Sequence, residues 1–527
     1  MNGFKPSYNT SATANLVVAL LVLLGLLAGL YYVLRYGGWT MEVDASRQAV
    51  AADGILTTGR LVNARAYNNG FGYAAQLSFV SLVTGIDLNS IQLSAGTWVF
   101  VVALVGFVTY REILGSLFRG ALAAFLLLVQ PDFMFYMVRG SHERTTWTCA
   151  LLMLFFLVRS YRFAHSPRRL VAHVLLFYLA FWGMTAGNIF FASTFIVAIG
   201  LSLGIGWSFE RLFLRDKEAE QSGSARWRRL MLISTTCLIV VYVFVNYLYQ
   251  PARQFYYVLM NLVDKLSVLV FGAEPVPQVV AYQYFGSAWR DPLAYLAVTG
   301  MQWVIAASSL GVWLWLTFHL AKLEAKTRFL WQLYTSFGIL LAFSLVADFS
   351  GFLSSNLQLR LFTPFAMFSS AIVAFGIQES WPRLQRKFKR VLVPAVGLLA
   401  VFAFMAGQVK ITNDPAIANQ WVFYSPAEMR AGQWLDATLK NQRVWVDISD
   451  HLRETFYFQE GYVENRPNQY ENKPDPAGYP YILISQLTQL KASRMGISLP
   501  STVGYLQIYD NGGTQLFHRR PQTPYQH

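Results

Sequence analysis

The chain has 527 residues, of which 55% are hydrophobic, 16% aromatic and 13% charged. Soluble domains carry about 25% charged residues, so a lone water-soluble globule is excluded. Two cysteines, Cys149 and Cys237, both in apolar runs, likewise exclude a disulfide-stapled scaffold and a Cys-rich zinc site. The net charge of +14 points to nucleic acid only if the protein is soluble; in a membrane protein it has to be read by location.

A helix needs about 20 apolar residues to cross a hydrocarbon core about 30 Å thick. About eleven stretches qualify: 15–36, 91–110, 117–137, 146–163, 169–185, 187–207, 230–250, 293–319, 329–348, 361–378 and 391–410. The chain therefore reads as a mainly α, polytopic membrane protein. The first stretch is too long and too poorly flanked for a cleaved signal peptide and reads as a retained helix. The pair at 169–207 is separated by the polar turn Gly183-Met184-Thr185-Ala186-Gly187-Asn188.

Basic residues set the orientation. With the N-terminus inside, alternate loops carry Arg111 and Arg119; Arg159, Arg162, Arg168 and Arg169; Arg211, Arg215, Lys217, Arg226, Arg228 and Arg229; Lys322, Lys326 and Arg328; and Arg383, Arg386, Lys387, Lys389 and Arg390. The opposite loops are longer and hold about half as many. An N-in, C-out arrangement follows. Topology then accounts for much of the charge, and nucleic acid loses its main support as a partner.

Three outside segments are too long for connectors: 37–90, 251–292 and 411–527. Residues 1–410 form the membrane domain, its first external loop (37–90) carrying amphipathic helices over Ala45–Gly59 and Ala74–Val83 that suit the interface plane. Residues 411–527 form a small extracytoplasmic α/β domain. There Ser425-Pro426-Ala427-Glu428 is a capping box with a helix-opening proline. Val444–Val446, Tyr481–Ile484, Leu506–Tyr509 and Gln515–His518 read as strands, the last two joined by the hairpin turn Asp510-Asn511-Gly512-Gly513.

Candidate chemistry gathers at the outer ends of the spans. Glu42 and Asp44 follow the first helix, and in an extended segment they face one way; the plain alternative is that Asp44 caps the next helix. Before the fourth span comes Arg139-Gly140-Ser141-His142-Glu143-Arg144. Its His142 and Glu143 suit a metal, a base or an acceptor group, or else a solvated headgroup-level loop with snorkelling arginines. Asp132 lies near the end of the third span. Asp348 closes the ninth and Arg360 opens the tenth, and a guanidinium suits a phosphate; Lys265 and Arg253 are weaker candidates. The nucleotide-binding Gly-rich loop, CxxC and HExxH are absent, so ATP-driven work and zinc hydrolysis are unsupported.

The layout resembles the GT-C superfamily of integral-membrane glycosyltransferases, in its prokaryotic, polyprenyl-phosphate-sugar-dependent branch. The resemblance rests on Asp44, Ala51, Gly59, Tyr67 to Tyr73 and Leu82-Val83-Thr84-Gly85-Ile86 in the first loop; on Arg139 to Thr145; and on Ser425 to Glu428, Trp434-Leu435, Val446-Asp447 and Ile508 to Gly513 in the tail. The Trp-Trp-Asp signature of the oligosaccharyltransferase branch is missing. The resemblance implies a multi-pass protein of the cytoplasmic membrane. Its activity would be transfer of a hexosyl or pentosyl unit from a polyprenyl-phosphate carrier to a glycan, lipid or protein acceptor outside, by inverting one-step displacement. It implies Asp44 as base or metal holder, supported by Glu42, His142, Glu143, Asp132 and Asp348. Arg360, with Arg139 and Lys265, would hold the carrier phosphate. A divalent cation (Mg or Mn), if used, would sit on Asp44 and Glu143. Two other classes share the layout: a lipid-linked-sugar transporter or flippase, and a catalytically idle GT-C-like subunit of a membrane complex.

Overall fold

The computed structural model describes residues 9–40, 43–61, 70–163, 166–213, 291–349, 357–383, 385–412, 414, 417, 423–439, 444–446, 479–495 and 498–520. The span expected at 230–250, most of the loop at 251–292, Glu42 and Lys265 lie outside these residues.

Helix α1 (Asn9–Arg35) opens the membrane part. Two shorter helices follow, α2 (Val43–Thr58) and α3 (Gly72–Thr84). Then come α4 (Leu88–Ser94), a 3₁₀ turn (Ala95–Trp98) and α5 (Val99–Leu114), which together make one long apolar rod. The rest of the bundle is α6 (Leu117–Leu128), α7 (Pro131–Val138), α8 (Glu143–Arg162), α9 (Pro167–Gly187), α10 (Ile189–Phe213), α11 (Pro292–Phe318), α12 (Ala325–Phe349), α13 (Leu357–Ser380) and α14 (Arg386–Ile411). Among the described residues eight helices are long and apolar enough to cross a membrane, or nine if the bent pair α6–α7 counts as one span. Leu34, Phe318 and Leu398 are 72%, 84% and 74% exposed. Apolar surface on that scale needs hydrocarbon to cover it, and the chain is a polytopic membrane protein.

Two of the expected spans depart from simple rods. The stretch at 117–137 is two helices meeting at 77°. Pro131 is the cause: it has no N–H to continue α6, and it opens α7 at the first helical position, where none is needed. The stretch at 146–163 is α8, which carries Glu143 and Arg144 at one end and Arg159 and Arg162 at the other. These charges leave it outside the eight apolar spans. The break expected over Gly183–Asn188 shrinks to Asn188 alone, because α9 runs on to Gly187 and α10 starts at Ile189.

Helix α1 lies directly on the α5 rod. A Cβ on Gly25 would fall on the Phe100 backbone, and one on Gly29 would lie 2.8 Å from Thr97 Cα. The Gly25-x-x-x-Gly29 spacing puts both glycines on one face, so the helix backbones touch.

The tail starts from the same end of the molecule as the loop after α1. Phe423 packs its ring against Tyr32, Tyr36 and Phe135, and the Tyr36 hydroxyl donates to the Thr412 carbonyl. Helix α15 (Pro426–Thr438) begins with the complete capping box: Ser425 Oγ accepts from Glu428 N, and Glu428 accepts from Ser425 N. It packs on a four-stranded sheet with strand order β1-β2-β4-β3. The strands are β1 (Val444–Trp445), β2 (Tyr481–Ser485), β3 (Tyr505–Asp510) and β4 (Thr514–Arg519). β1 and β2 are parallel; β2 pairs antiparallel with β4, placing Leu483 opposite Leu516. β3 and β4 form the expected hairpin, with a bulge between Gln507 and Tyr509. Helix α16 (Gln486–Met495) follows β2.

Replacing Gly25 or Gly29 with leucine forces α1 off α5. Overpacking of this kind costs about 1–3 kcal/mol, and either variant is expected to unfold at lower temperature in detergent than Gly54→Ala, made where an added Cβ meets open space. Equal melting temperatures would remove the close contact from the argument.

Candidate active site

Asp44 lies inside the first turn of α2, so its carboxylate is placed by helix rather than by extended chain. The loop between α7 and α8 comes up against this turn. Gly140 touches α2 so closely that a Cβ there would lie 2.7 Å from Ala45 Cβ. Gln92 on α4 clamps the contact, its amide Nε2 donating to the Ala45 carbonyl at 2.7 Å. Arg144 closes the loop on itself by donating to the Arg139 carbonyl at 2.6 Å.

Arg139, 1% exposed, is the centre of the cluster. Its Nη2 donates to Asp44 Oδ2 at 2.5 Å and to Glu143 Oε1 at 2.7 Å. Its guanidinium also stands over the rings of Phe135 and Tyr136. One cation therefore joins α2, α7 and α8. Such charges survive burial only when paired and hydrogen-bonded. The other Asp44 oxygen, Oδ1, lies 3.9 Å from Arg47 Nη1, on the side where Arg47 is 38% exposed and the site opens.

His142 is fully enclosed next to this triad. Asn188, the residue between α9 and α10, turns its Nδ2 to His142 Nε2 at 3.1 Å, and its Oδ1 accepts from Phe191 N. Thr146 Oγ1 faces Nδ1 at 3.2 Å and donates to the His142 carbonyl. These partners assign a neutral imidazole protonated on Nδ1. Burial pushes the His142 pKa below its ordinary value, against the pull of Glu143. Burial raises Glu143, but Arg139 and then His142 outweigh it and bring the carboxyl down to about 2.

Arg360, in the first turn of α13, holds its guanidinium 5.6 Å from the Phe190 ring centroid. It is among the charges acting on His142 and Tyr136. Among the described residues it has no acidic partner and is half-buried. Asp44 and Arg360 are both among the charges acting on His142.

Asp132 stands at the other end of α7, about 10 Å from Arg139 at 1.5 Å per residue. Gln302 on α11 donates to its Oδ2 at 2.6 Å, and Lys410 on α14, 0% exposed, lies 3.9 Å from its Oδ1. Asp132 is therefore placed in a separate cluster that pins α7. Asp348 lies in the last turn of α12. Asn188, Gln302 and Lys410 were not singled out in the sequence. An amide between two apolar spans and a lysine ending another are the signals that mark them.

A bridging divalent ion would compete with Arg139. Its guanidinium already occupies the space between the Asp44 and Glu143 carboxylates, and among the described residues no group of three His, Cys, Asp or Glu is placed to hold a metal. The donor set fits an internal cation.

No family model and no curated protein matches the sequence. Solved structures do. The oligosaccharyltransferase of Archaeoglobus fulgidus in its apo form superposes with TM-score 0.59 at 10% identity, over 98% of this chain and 76% of that one. ArnT from Cupriavidus metallidurans in the apo state gives 0.57 at 13%, over 98% of this chain and 100% of its own. The chain has the GT-C fold. ArnT bound to undecaprenyl phosphate superposes with TM-score 0.57 at 12% identity, over 97% and 99% of the two chains.

The two shifts both make stability fall as pH drops, over successive ranges. His142 stays neutral in the fold while an unfolded chain takes up its proton near the ordinary value of 6.5, so stability falls as pH drops below that value. Glu143 contributes stability above its ordinary 4.5, and that contribution is lost as pH falls towards about 2. Melting temperature is expected to decline from pH 6.5 to 4.5, and His142→Gln to flatten that decline. An unchanged slope in the variant would remove His142 as its source.

Proposed function

We propose that the protein is a membrane glycosyltransferase. It moves a hexosyl or pentosyl unit from a polyprenyl-phosphate carrier to an acceptor hydroxyl on the outer face of the cytoplasmic membrane. The observation that supports the reading is a single one: an oriented carboxylate, Asp44, and a half-buried guanidinium, Arg360, both act on the enclosed His142. The bundle has the GT-C fold, and one similar structure was solved with undecaprenyl phosphate bound.

The chemistry is a displacement at the sugar's anomeric carbon. The acceptor oxygen forms the new bond while the bond to the carrier phosphate oxygen breaks, and the polyprenyl phosphate leaves with the electron pair. Asp44 takes the acceptor proton through Oδ1, since Oδ2 is engaged by Arg139. Arg360 balances the charge that grows on the departing phosphate. Arg139 fixes the base, and Glu143 and the His142–Asn188 pair fix Arg139 and the wall beside it. Glu42, two residues before Asp44, and Lys265 remain candidates for added acid and cation. The twenty basic residues in alternate loops support an N-in chain with the tail outside.

Purified protein in lipid nanodiscs is to be assayed with undecaprenyl-phosphoryl sugars and a panel of glycan, lipid and peptide acceptors. Asp44→Asn is expected to lower turnover by about 10²–10⁴-fold while undecaprenyl phosphate still binds; Arg360→Ala is expected to weaken that binding. Unchanged turnover in Asp44→Asn removes the base. Binding without turnover in the unmodified protein favours a transporter or an idle subunit. Since Arg139 supplies the local cation, turnover is expected to survive EDTA, and abolition by EDTA with recovery on Mg or Mn would overturn that assignment.

A further inference from the structure

Gln48 is 0% exposed, and among the described residues neither Nε2 nor Oε1 of its side chain has a hydrogen-bond partner. It follows Asp44 by four residues on α2, so both stand on one face about 6 Å apart at Cβ. Helical side chains lean towards the N-terminus, which carries the Gln48 amide over the turn that holds Asp44.

Leaving a buried polar group unsatisfied costs about 1–3 kcal/mol. Native proteins carry few such groups, and each calls for an account. A carboxamide with donor and acceptor both unspent is an unusual filler for an enclosed position on a helix, where leucine or methionine fills the same volume without the penalty. Its two valences suit the hydroxyls of a sugar ring, one accepting from Nε2 and one donating to Oε1.

We propose that Gln48 is a specificity-determining residue that reads hydroxyl groups of the donor sugar, one helical turn from Asp44. The proposal rests on the glycosyl-transfer reading and names the part of the site that recognises the sugar rather than the phosphate. A site with a waiting amide binds a sugar that satisfies it and rejects a donor whose hydroxyls leave it unpaired. Gln48 takes no part in bond making.

The test uses the full chain in nanodiscs with bare undecaprenyl phosphate and with undecaprenyl-phosphoryl glucose, mannose and arabinose as probes. The unmodified protein is expected to bind at least one sugar lipid more tightly than the bare carrier. Gln48→Met is expected to erase that increment, a loss of about tenfold or more, and to leave bare-carrier affinity unchanged. The apo variant is expected to melt no lower than the parent, since methionine needs no partner. The proposal is overturned if the increment survives in Gln48→Met, if bare-carrier affinity falls equally, or if the apo variant melts lower, which would give the amide a structural role. A parent that binds the bare carrier but gains nothing from any sugar overturns this proposal and leaves the carrier reading standing. A parent that binds none of the probes overturns the carrier reading itself.

Discussion

The guanidinium of Arg139 between two carboxylates is the interaction on which the rest depends. Asp44, Arg139 and Glu143 come from three elements, and each is nearly enclosed. Separately, each charge would be very costly at that depth. Together they form a small ionic knot whose desolvation cost is offset by short, directed hydrogen bonds. Removing one member of a buried pair typically costs about 3–5 kcal/mol because the other is left uncompensated. The knot therefore fixes the position of α2 over the bundle and the orientation of Asp44 at once. Structural and chemical demands fall on the same side chains.

Helix α7 serves as the mount for this knot. All eight of its residues are buried. Its first turn is pinned through Asp132 to Gln302 and Lys410, and its last residue leads directly into Arg139. Asp132 also suits the first turn by its charge, which faces the positive end of the helix dipole. The aromatic rings of Phe135 and Tyr136 lie under the guanidinium. Lys410 touches the Phe135 ring as well, at 4.7 Å. The two polar clusters are thus opposite ends of one rigid piece.

Much of this organisation was legible in the residues. Apolar runs long enough to span gave the bundle, because hydrocarbon leaves a chain little choice but helix. The capping box at Ser425–Glu428 and the turn at Asp510–Gly513 act through local hydrogen bonds, so they read correctly without knowledge of the fold. Asp44 and Glu143 stood out because acids are costly near a bilayer. What stayed hidden depends on distant partners. The bend at Pro131 could be suspected from proline alone, but the 77° angle is set by packing. Asn188 looked like turn punctuation until His142 appeared opposite it. Gln48 carries no signal in the sequence; its complete enclosure shows only in the fold. Asp132 read as one of an acidic set, and only the approach of α11 and α14 separates it from Asp44.

The last turn of α14 runs straight into the C-terminal tail. Lys410 grips Asp132, Tyr36 holds Thr412, and Phe423 wedges among Tyr32, Tyr36 and Phe135. The tail is therefore clasped to the mount of the ionic knot rather than tethered beside it. Substitutions in this clasp touch neither Asp44 nor Glu143, yet they shift the seat of Arg139. In a survey of damaging mutations they would form a second sensitive region, remote from Asp44 and joined to it by one short rod.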